Sequence, residues 1–322
     1  MKRIIALISA LFIILMLGSC NTLEIQSCLP IYSMDTTIQV TFYNVKDYEV
    51  HYKEIKEIYQ LYDSISSDYA SNSEENSIYD LNEKRTITAS DELVNLVTLA
   101  VQLMEDTQGY YNPLIGRLSH VWKDAIQKKE LVAEEIIQAE LKVIQESSIK
   151  IEDNLISLTG QGNLDLGGIA KGYATQKAKE YLDSVNVDRF LINAGSSNVV
   201  FGHKNHKDFT IALEEPYRNS NIMIVKGNNK AIGTSSGKYQ NAIIDDIRYH
   251  HLLNPFTGLP SNLYDSVNVM CNDSTLCDVY ATAIFSMDLN TAKEFSKNKG
   301  IDIILFKDDA ILYQSDGWNS YA

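Results

Sequence analysis

Three hundred and twenty-two residues, 45% hydrophobic and 22% charged, supply enough apolar material for one large core or two smaller ones and exclude a disordered chain. With 5 Pro and 16 Gly the chain is no array of linkers, and its single long apolar run lies at the extreme N-terminus, which excludes a polytopic membrane protein. The net charge of -14 repels nucleic-acid phosphate and no stretch of sequence forms a basic patch, so nucleic acid is not an expected partner.

The N-terminal run reads as a targeting segment. Lys2 and Arg3 precede an apolar stretch from Ile4 to Leu17, followed by Leu17, Gly18, Ser19 and Cys20. The sequence LGSC resembles a bacterial lipobox, which implies cleavage before Cys20, lipidation of that cysteine and a soluble domain tethered to a membrane. Removing the leader takes Lys2 and Arg3 and no acid, so the net charge deepens from -14 to -16. Cys28, Cys271 and Cys277 are then left, an odd number without a C-x-x-C pair, and the expectation is small buried side chains rather than a metal site or disulfide framework.

Beyond a tether over residues 20–33, MDTTIQVTFY (Met34 to Tyr43) alternates as a strand. Helices are predicted over Tyr48 to Ser66, over Asp91 to Thr107 behind an N-cap Ser90, and over Ala133 to Glu146, with a polar stretch at Asp68 to Asn76 and a turn-rich one at Gly109 to Leu118. Short strands follow at Ile149 to Glu152 and Leu155 to Leu158, then a glycine-rich turn opening a helix at about Ile169 to Ser184. Further strands are expected at 190–192, 198–201, 209–213, 222–225, 230–232, 250–253 and 266–270. Helices at about 273–287 and 290–298 and a closing strand pair at 301–306 and 310–313 complete the chain. Strands and helices do not alternate strictly, which makes the fold α+β, in a single domain over residues 34–322.

Three segments carry chemistry. In DLGGIAKGYA (Asp165 to Ala174), Gly167 and Gly168 let backbone approach a ligand, the helix start offers free N–H groups, and Lys171 adds a cation, a form suited to phosphate or to a plain packing turn. In CDVYATAIF (Cys277 to Phe285), Asp278 and Thr282 lie four residues apart and share a helix face, a pair of hard oxygen donors suited to magnesium or to a solvated surface. In HLLNPFTGLPS (His251 to Ser261) a strand carrying His251 runs into an Asn-Pro turn, a placement suited to a general base or to a satisfied structural histidine. GTSSG (Gly233 to Gly237) matches the hydrolase elbow G-x-S-x-G, but Lys238 to Ile244 reads as loop and strand where the elbow needs a helix.

Together with MDTT (Met34 to Thr37), GYYNP (Gly109 to Pro113), LINAGSSN (Leu191 to Asn198) and the GTSSGKY loop, these segments stand in the order that resembles the FAD:protein FMN transferases, the ApbE family, from about Met34 to Met287. The resemblance implies an ApbE-like α+β fold with mixed sheets flanked by helices. It implies Mg²⁺-dependent cleavage of FAD, transfer of FMN to a Thr or Ser of a partner flavoprotein in a membrane redox complex, and release of AMP. By matching positions, Mg²⁺ would be held by Asp278 and Thr282 with main-chain oxygens of Gly168 and Ala281. FAD would lie against Met34, Tyr69, Tyr110, Tyr111, Asn112, Asp165, Lys171 and Leu252, and His251 would deprotonate the acceptor hydroxyl. Asp35, Ser196, Asn254 and Phe256 depart from the family's usual glycine, glycine, aspartate and arginine. The alternatives are a lipid-anchored FAD-binding protein without turnover and an FAD pyrophosphatase that uses water as acceptor.

Overall fold

The structure, a computed structural model, describes residues 23–69, 76–195, 197–204, 207–214, 216–217, 221–308 and 310–321. Cys20 and Ser196 lie outside the described residues.

The chain enters through two short strands, β1 (Ile25–Ser27) and β2 (Ile31–Ser33), where the sequence suggested a tether. Both pair antiparallel with β3 (Thr36–Tyr43), β1 at its Tyr43 end and β2 at its Thr36 end. Met34 and Asp35 are therefore the turn of a hairpin rather than the start of a strand. Both take left-handed φ, 54° and 55°, which accounts for the glycine usual at position 35. Helices α1 (Tyr48–Ser66), α2 (Ile78–Lys84), α3 (Asp91–Asp106), α4 (Gly116–Lys128) and α5 (Glu134–Gln145) follow, with β4 (Thr86–Thr88) between α2 and α3. The sequence reading missed α2, a seven-residue helix at whose start Ser77 and Asp80 cap each other's backbone N–H. It also missed α4, whose buried Leu118, Trp122 and Ala125 are spaced by four and three. Ser90 stands at the N-cap of α3 as expected, yet its hydroxyl makes no capping bond.

Strands β5 (Ser148–Glu152) and β6 (Leu155–Thr159) form a small sheet with β4. Helix α6 (Ala170–Ser184) leads to β7 (Phe190–Ala194) and β8 (Asn198–Phe201), then β9 (Phe209–Glu214), β10 (Asn221–Gly227) and β11 (Lys230–Ser236). A small hairpin, β12 (Asn241–Ile244) and β13 (Ile247–His250), precedes β14 (Ser266–Cys271), α7 (Ser274–Ile284), α8 (Leu289–Lys299), β15 (Asp302–Lys307) and β16 (Ala310–Gln314). Among the described residues the main sheet has nine strands in the order β1-β3-β7-β8-β11-β14-β15-β16, with β2 also on β3, all antiparallel.

This sheet is covered on both faces, and the period of two along each strand sorts the side chains. Ala231, Val267, Val269, Ile303 and Leu305 join the core shared with the helices, while Ile232, Met270, Ile304 and Phe306 join a second cluster with Phe209, Leu213, Val225 and Trp318 under the β9–β10 hairpin. Helix α7 lies on β11 and β14 and packs against α6, which packs against α1. Among the described residues no helix is long and apolar enough to cross a membrane.

The cysteine expectation needs correction. Cys271 and Cys277 form a disulfide with Cα atoms 6.2 Å apart, tying the end of β14 to the first turn of α7, while Cys28 stays free. The sequence hid this because the pairing depends on a β-to-α turn bringing position 277 back over 271.

Candidate active site

Helix α7 starts cleanly because the Asp273 side chain accepts from the Leu276 N–H. One turn on, Asp278 is buried at 6% exposure and makes no ion pair among the described residues. Its Oδ2 accepts from the Gly172 N–H at 2.8 Å, across the contact between α6 and α7. Burial pushes its carboxyl above the usual carboxylate range, against the opposing pull of the Lys171 charge. The buried Asn198 amide belongs to the same enclosure and also favours the charged carboxylate.

The Gly172 N–H is the donor an uninterrupted helix would give to the Gly168 carbonyl. Because it goes to Asp278, no hydrogen bond reaches the Gly168 carbonyl among the described residues. A Cβ on Gly168 would lie 3.2 Å from the Tyr111 ring and 3.3 Å from the Thr282 methyl, so Gly168 is pressed between the two. The Thr282 hydroxyl donates to the Asp278 carbonyl at 3.1 Å and lies 3.4 Å from the Ser235 hydroxyl. The carbonyl of buried Ala281 already accepts the Phe285 N–H within the helix turn.

Asp278 is held by close backbone approach on two sides. A Cβ on Gly172 would fall 2.5 Å from the Asp278 Cβ and 2.7 Å from the Ser274 carbonyl oxygen, and one on Gly233 would fall 2.3 Å from the Cys277 carbonyl. Gly172→Ala is expected to cost about 1–3 kcal/mol, read as a lower urea midpoint, because rigid helix backbone and not a mobile side-chain tip is in the way.

The segment preceding α6 is tied down locally. Asp165 accepts from the Gly167 N–H at 2.7 Å, and its own N–H donates to the Pro113 carbonyl, which joins the GYYNP turn to the glycine turn. Asn112 accepts from the Leu114 N–H at 2.9 Å and shapes that turn. Tyr111 is buried with its hydroxyl unpartnered, and burial with the nearby Asp165 and Asp278 charges holds that phenol well above its ordinary range. Tyr110 meets the exposed Phe256 edge to face at 5.0 Å.

Tyr69 stands at 53% exposure, stacked on His120 at 4.9 Å with the Lys123 ammonium against its ring and hydroxyl. His120 is bound to Asp68 at 2.6 Å, which raises its pKa, and Asp165 adds to the field around His120, Lys123 and Tyr69. Lys123 and His120 escaped the sequence reading because they ride on the missed α4, although the spacing of Leu118, Trp122 and Ala125 carried its signal. Met34, half-buried at the hairpin tip, lies two residues from Thr36, whose side chain occupies the space beside Gly195. No hydrogen bond or ring contact joins Met34 to the other candidate residues among those described.

The two histidines differ in station. His250, not His251, ends β13, and it is a core side chain at 2% exposure that accepts the Leu252 N–H at Nδ1 and packs against Phe285. His251 lies just past the strand, half-buried, with Nδ1 enclosed and unpartnered. Burial pushes both down to about 4, and the Lys171 and Lys123 charges add to the effect at His251. Lys171 thus acts on both His251 and Asp278, which places the candidate base and the candidate metal ligands around one cation. Each histidine binds its proton more weakly folded than unfolded. Stability is therefore present above pH 6.5 and is lost as pH falls from 6.5 through 4, with His250 contributing about 3 kcal/mol at most. Thermal melts across this window should show the loss, and His250→Asn should lessen it, leaving the part that His251 contributes.

Asn254 accepts from the Phe256 and Thr257 N–H groups, so the residue in place of the usual aspartate holds the turn, and among the described residues no hydrogen bond connects it to His251. Ser235 lies on strand β11 with no helix directly after it, so the hydrolase elbow is absent.

The model of the ApbE family matches residues 34–305. The chain belongs to the ApbE family. It is similar to proteins named FAD:protein FMN transferase from Klebsiella pneumoniae, at 28% identity over 67% of this chain and 70% of that one, and from Vibrio cholerae, at 24% over 97% and 95%. The solved ApbE protein of Thermotoga maritima shares the fold at a TM-score of 0.83 and 23% identity, covering 92% of this chain and 99% of that one. The flavin transferase ApbE of Vibrio cholerae does so at 0.78 and 22%, covering 94% and 100%. The α+β architecture of this chain is thus the family's, and the motifs quoted from the sequence fall inside the matched region.

Proposed function

We propose that this ApbE-family chain is an FAD:protein FMN transferase, a Mg²⁺-dependent enzyme that moves the FMN part of FAD onto a Thr or Ser hydroxyl of a partner flavoprotein and releases AMP. The observation that carries the reading is the buried, unpaired Asp278 carboxylate, set one helical turn from Thr282 beside a Gly168 carbonyl that the helix leaves unbonded. Among the described residues no group of three or more His, Cys, Asp or Glu could hold a metal, so one carboxylate with neutral oxygens is the donor set on offer. That set fits Mg²⁺, which keeps sites for water and phosphate oxygens. Asp278, Thr282 and the Gly168 carbonyl would hold the ion, and when bound it supplies charge neutralisation at the pyrophosphate.

The chain's own residues do the rest. Lys171 offers a cation to the phosphates, and the Asp165-capped glycine turn lets backbone approach them. Tyr69, exposed and braced by His120 and Lys123, supplies a ring for the flavin to lie against. His251, neutral near pH 7, takes the acceptor proton as the hydroxyl oxygen bonds to the FMN phosphorus and the bond to the AMP phosphate breaks.

We read Cys20 as the lipid-bearing residue, which places the domain in the bacterial cell envelope on the outer side of a membrane, with an acceptor subunit of a membrane redox complex as partner. Incubation of the chain with FAD, Mg²⁺ and a candidate acceptor should give a fluorescent acceptor band in a denaturing gel together with stoichiometric AMP. Free FMN and AMP without a labelled band would show water as the acceptor, and FAD retained intact would show a binding protein.

A further inference from the structure

We propose that the end of the main sheet where the chain enters the fold is a membrane-facing surface whose basic recess takes the phosphate headgroups of anionic phospholipids. The proposal rests on the reading of Cys20 as the anchor. Leu23 packs on the cluster of Tyr43, Phe201 and Phe209, and Ile25, two residues later, is registered opposite Tyr43 and is 58% exposed. Three residue steps separate Cys20 from Leu23, a reach of about 11 Å at full extension. An anchor on Cys20 therefore delivers this end of the sheet to the bilayer, with no longer tether to let the domain turn away.

That end is where the fold brings Arg189 beside the run of His203, Lys204 and Lys207. Arg189, His203, Lys204 and Lys207, with Asp188 and Asp208, line a recess of about 460 Å³. The backbone holds it together: the Tyr43 N–H donates to the Arg189 carbonyl, and the His203 N–H donates to the Asp188 carbonyl. Lys204 stands over the rings of Tyr43 and Phe209 at 5.3 and 5.7 Å. Of the two carboxylates, Asp188 lies 3.8 Å from the Arg189 guanidinium and Asp208 accepts from the Asn228 amide, whereas Lys204 and Lys207 are in no ion pair among the described residues. On a chain of net charge -14, a bilayer bearing anionic lipid repels most of the surface and attracts this end.

The orientation follows from α6. Its first turn carries Lys171 in the candidate active site, and its fifteen residues run to the Val185–Arg189 loop at the basic end, a distance of about 22 Å. Seated on its basic end, the domain holds its active site away from the lipid and open to an acceptor domain.

The test uses the full chain, purified with its N-terminal modification and reconstituted in vesicles of phosphatidylcholine alone or mixed with phosphatidylglycerol. Acetylation of Lys204 and Lys207 is followed by peptide mass spectrometry, with Lys142 on α5 as the reference. Both lysines should be protected in the anionic vesicles only, with protection lost in high salt. Arg189→Gln, Lys204→Gln and Lys207→Gln should each weaken the vesicle preference on the order of fivefold while leaving FMN transfer to a soluble acceptor unchanged. Equal labelling in the two vesicle types overturns the proposal, as does equal protection by inorganic phosphate without vesicles. The mass of the Cys20 peptide reports the anchor separately. If Cys20 bears no lipid, sedimentation of the chain with anionic vesicles still upholds the headgroup surface, and failure to sediment overturns it.

Discussion

Replacing Asp278 with Asn should reduce FMN transfer on the order of 10³-fold, because it removes the single carboxylate of the candidate metal site while keeping an oxygen to accept the Gly172 N–H. The same substitution should raise the stability of the metal-free protein. Asp278 is buried without an ion pair, and its carboxyl lies above the 3.8 of an ordinary aspartate. A raised carboxyl binds its proton more tightly folded than unfolded, so stability is lost as pH rises from 3.8 through the folded value. At neutral pH the full cost of the buried charge is in place. Addition of Mg²⁺ should then raise the melting temperature of the parent chain and leave that of Asp278→Asn unmoved. Transfer that survives the substitution, or a melting temperature indifferent to Mg²⁺, would remove Asp278 from the metal site.

His251→Ala should lower the rate of transfer by about 10² to 10⁴ while FAD affinity changes little, since a general base contributes mainly in the transition state. With the imidazole pushed down to about 4, His251 is neutral and competent as a base through the whole range above that value. The acidic limb of the rate profile should accordingly fall near pH 4 and not near 6.5. A limb near 6.5, or a variant with undiminished transfer, would assign the proton to another group. His250→Ala gives the contrast: its ring fills core space against Phe285 and Gly237, so it should lose stability and not the proton-transfer step.

The parts of the candidate site are local in sequence. Spacing marks the glycine turn into α6 and puts Asp278 and Thr282 on one face of α7, but it leaves a packing turn and a solvated surface equally open; the structure buries Asp278 and sets the two segments against each other through the Gly172 N–H. The strand order of the sheet was not legible, since period-two alternation says which face a residue takes and nothing about which strand lies beside it. Helix α4 was lost behind the turn signals of Gly109 and Pro113, and Lys123 and His120 went with it. The Cys271–Cys277 pairing and the burial of His250 beside the half-open His251 depend on chain reversals, not on composition. The departure at Asn254 is settled by its two backbone hydrogen bonds, which an amide oxygen makes as well as a carboxylate.

The absence of a Cβ at Gly172 and at Gly233 lets two backbones close on Asp278 from opposite sides. A helix wedged in this way can neither slide nor roll by a fraction of a turn, so the carboxylate is immobilised before any ligand arrives. The entropy of ordering it is spent during folding and not on binding.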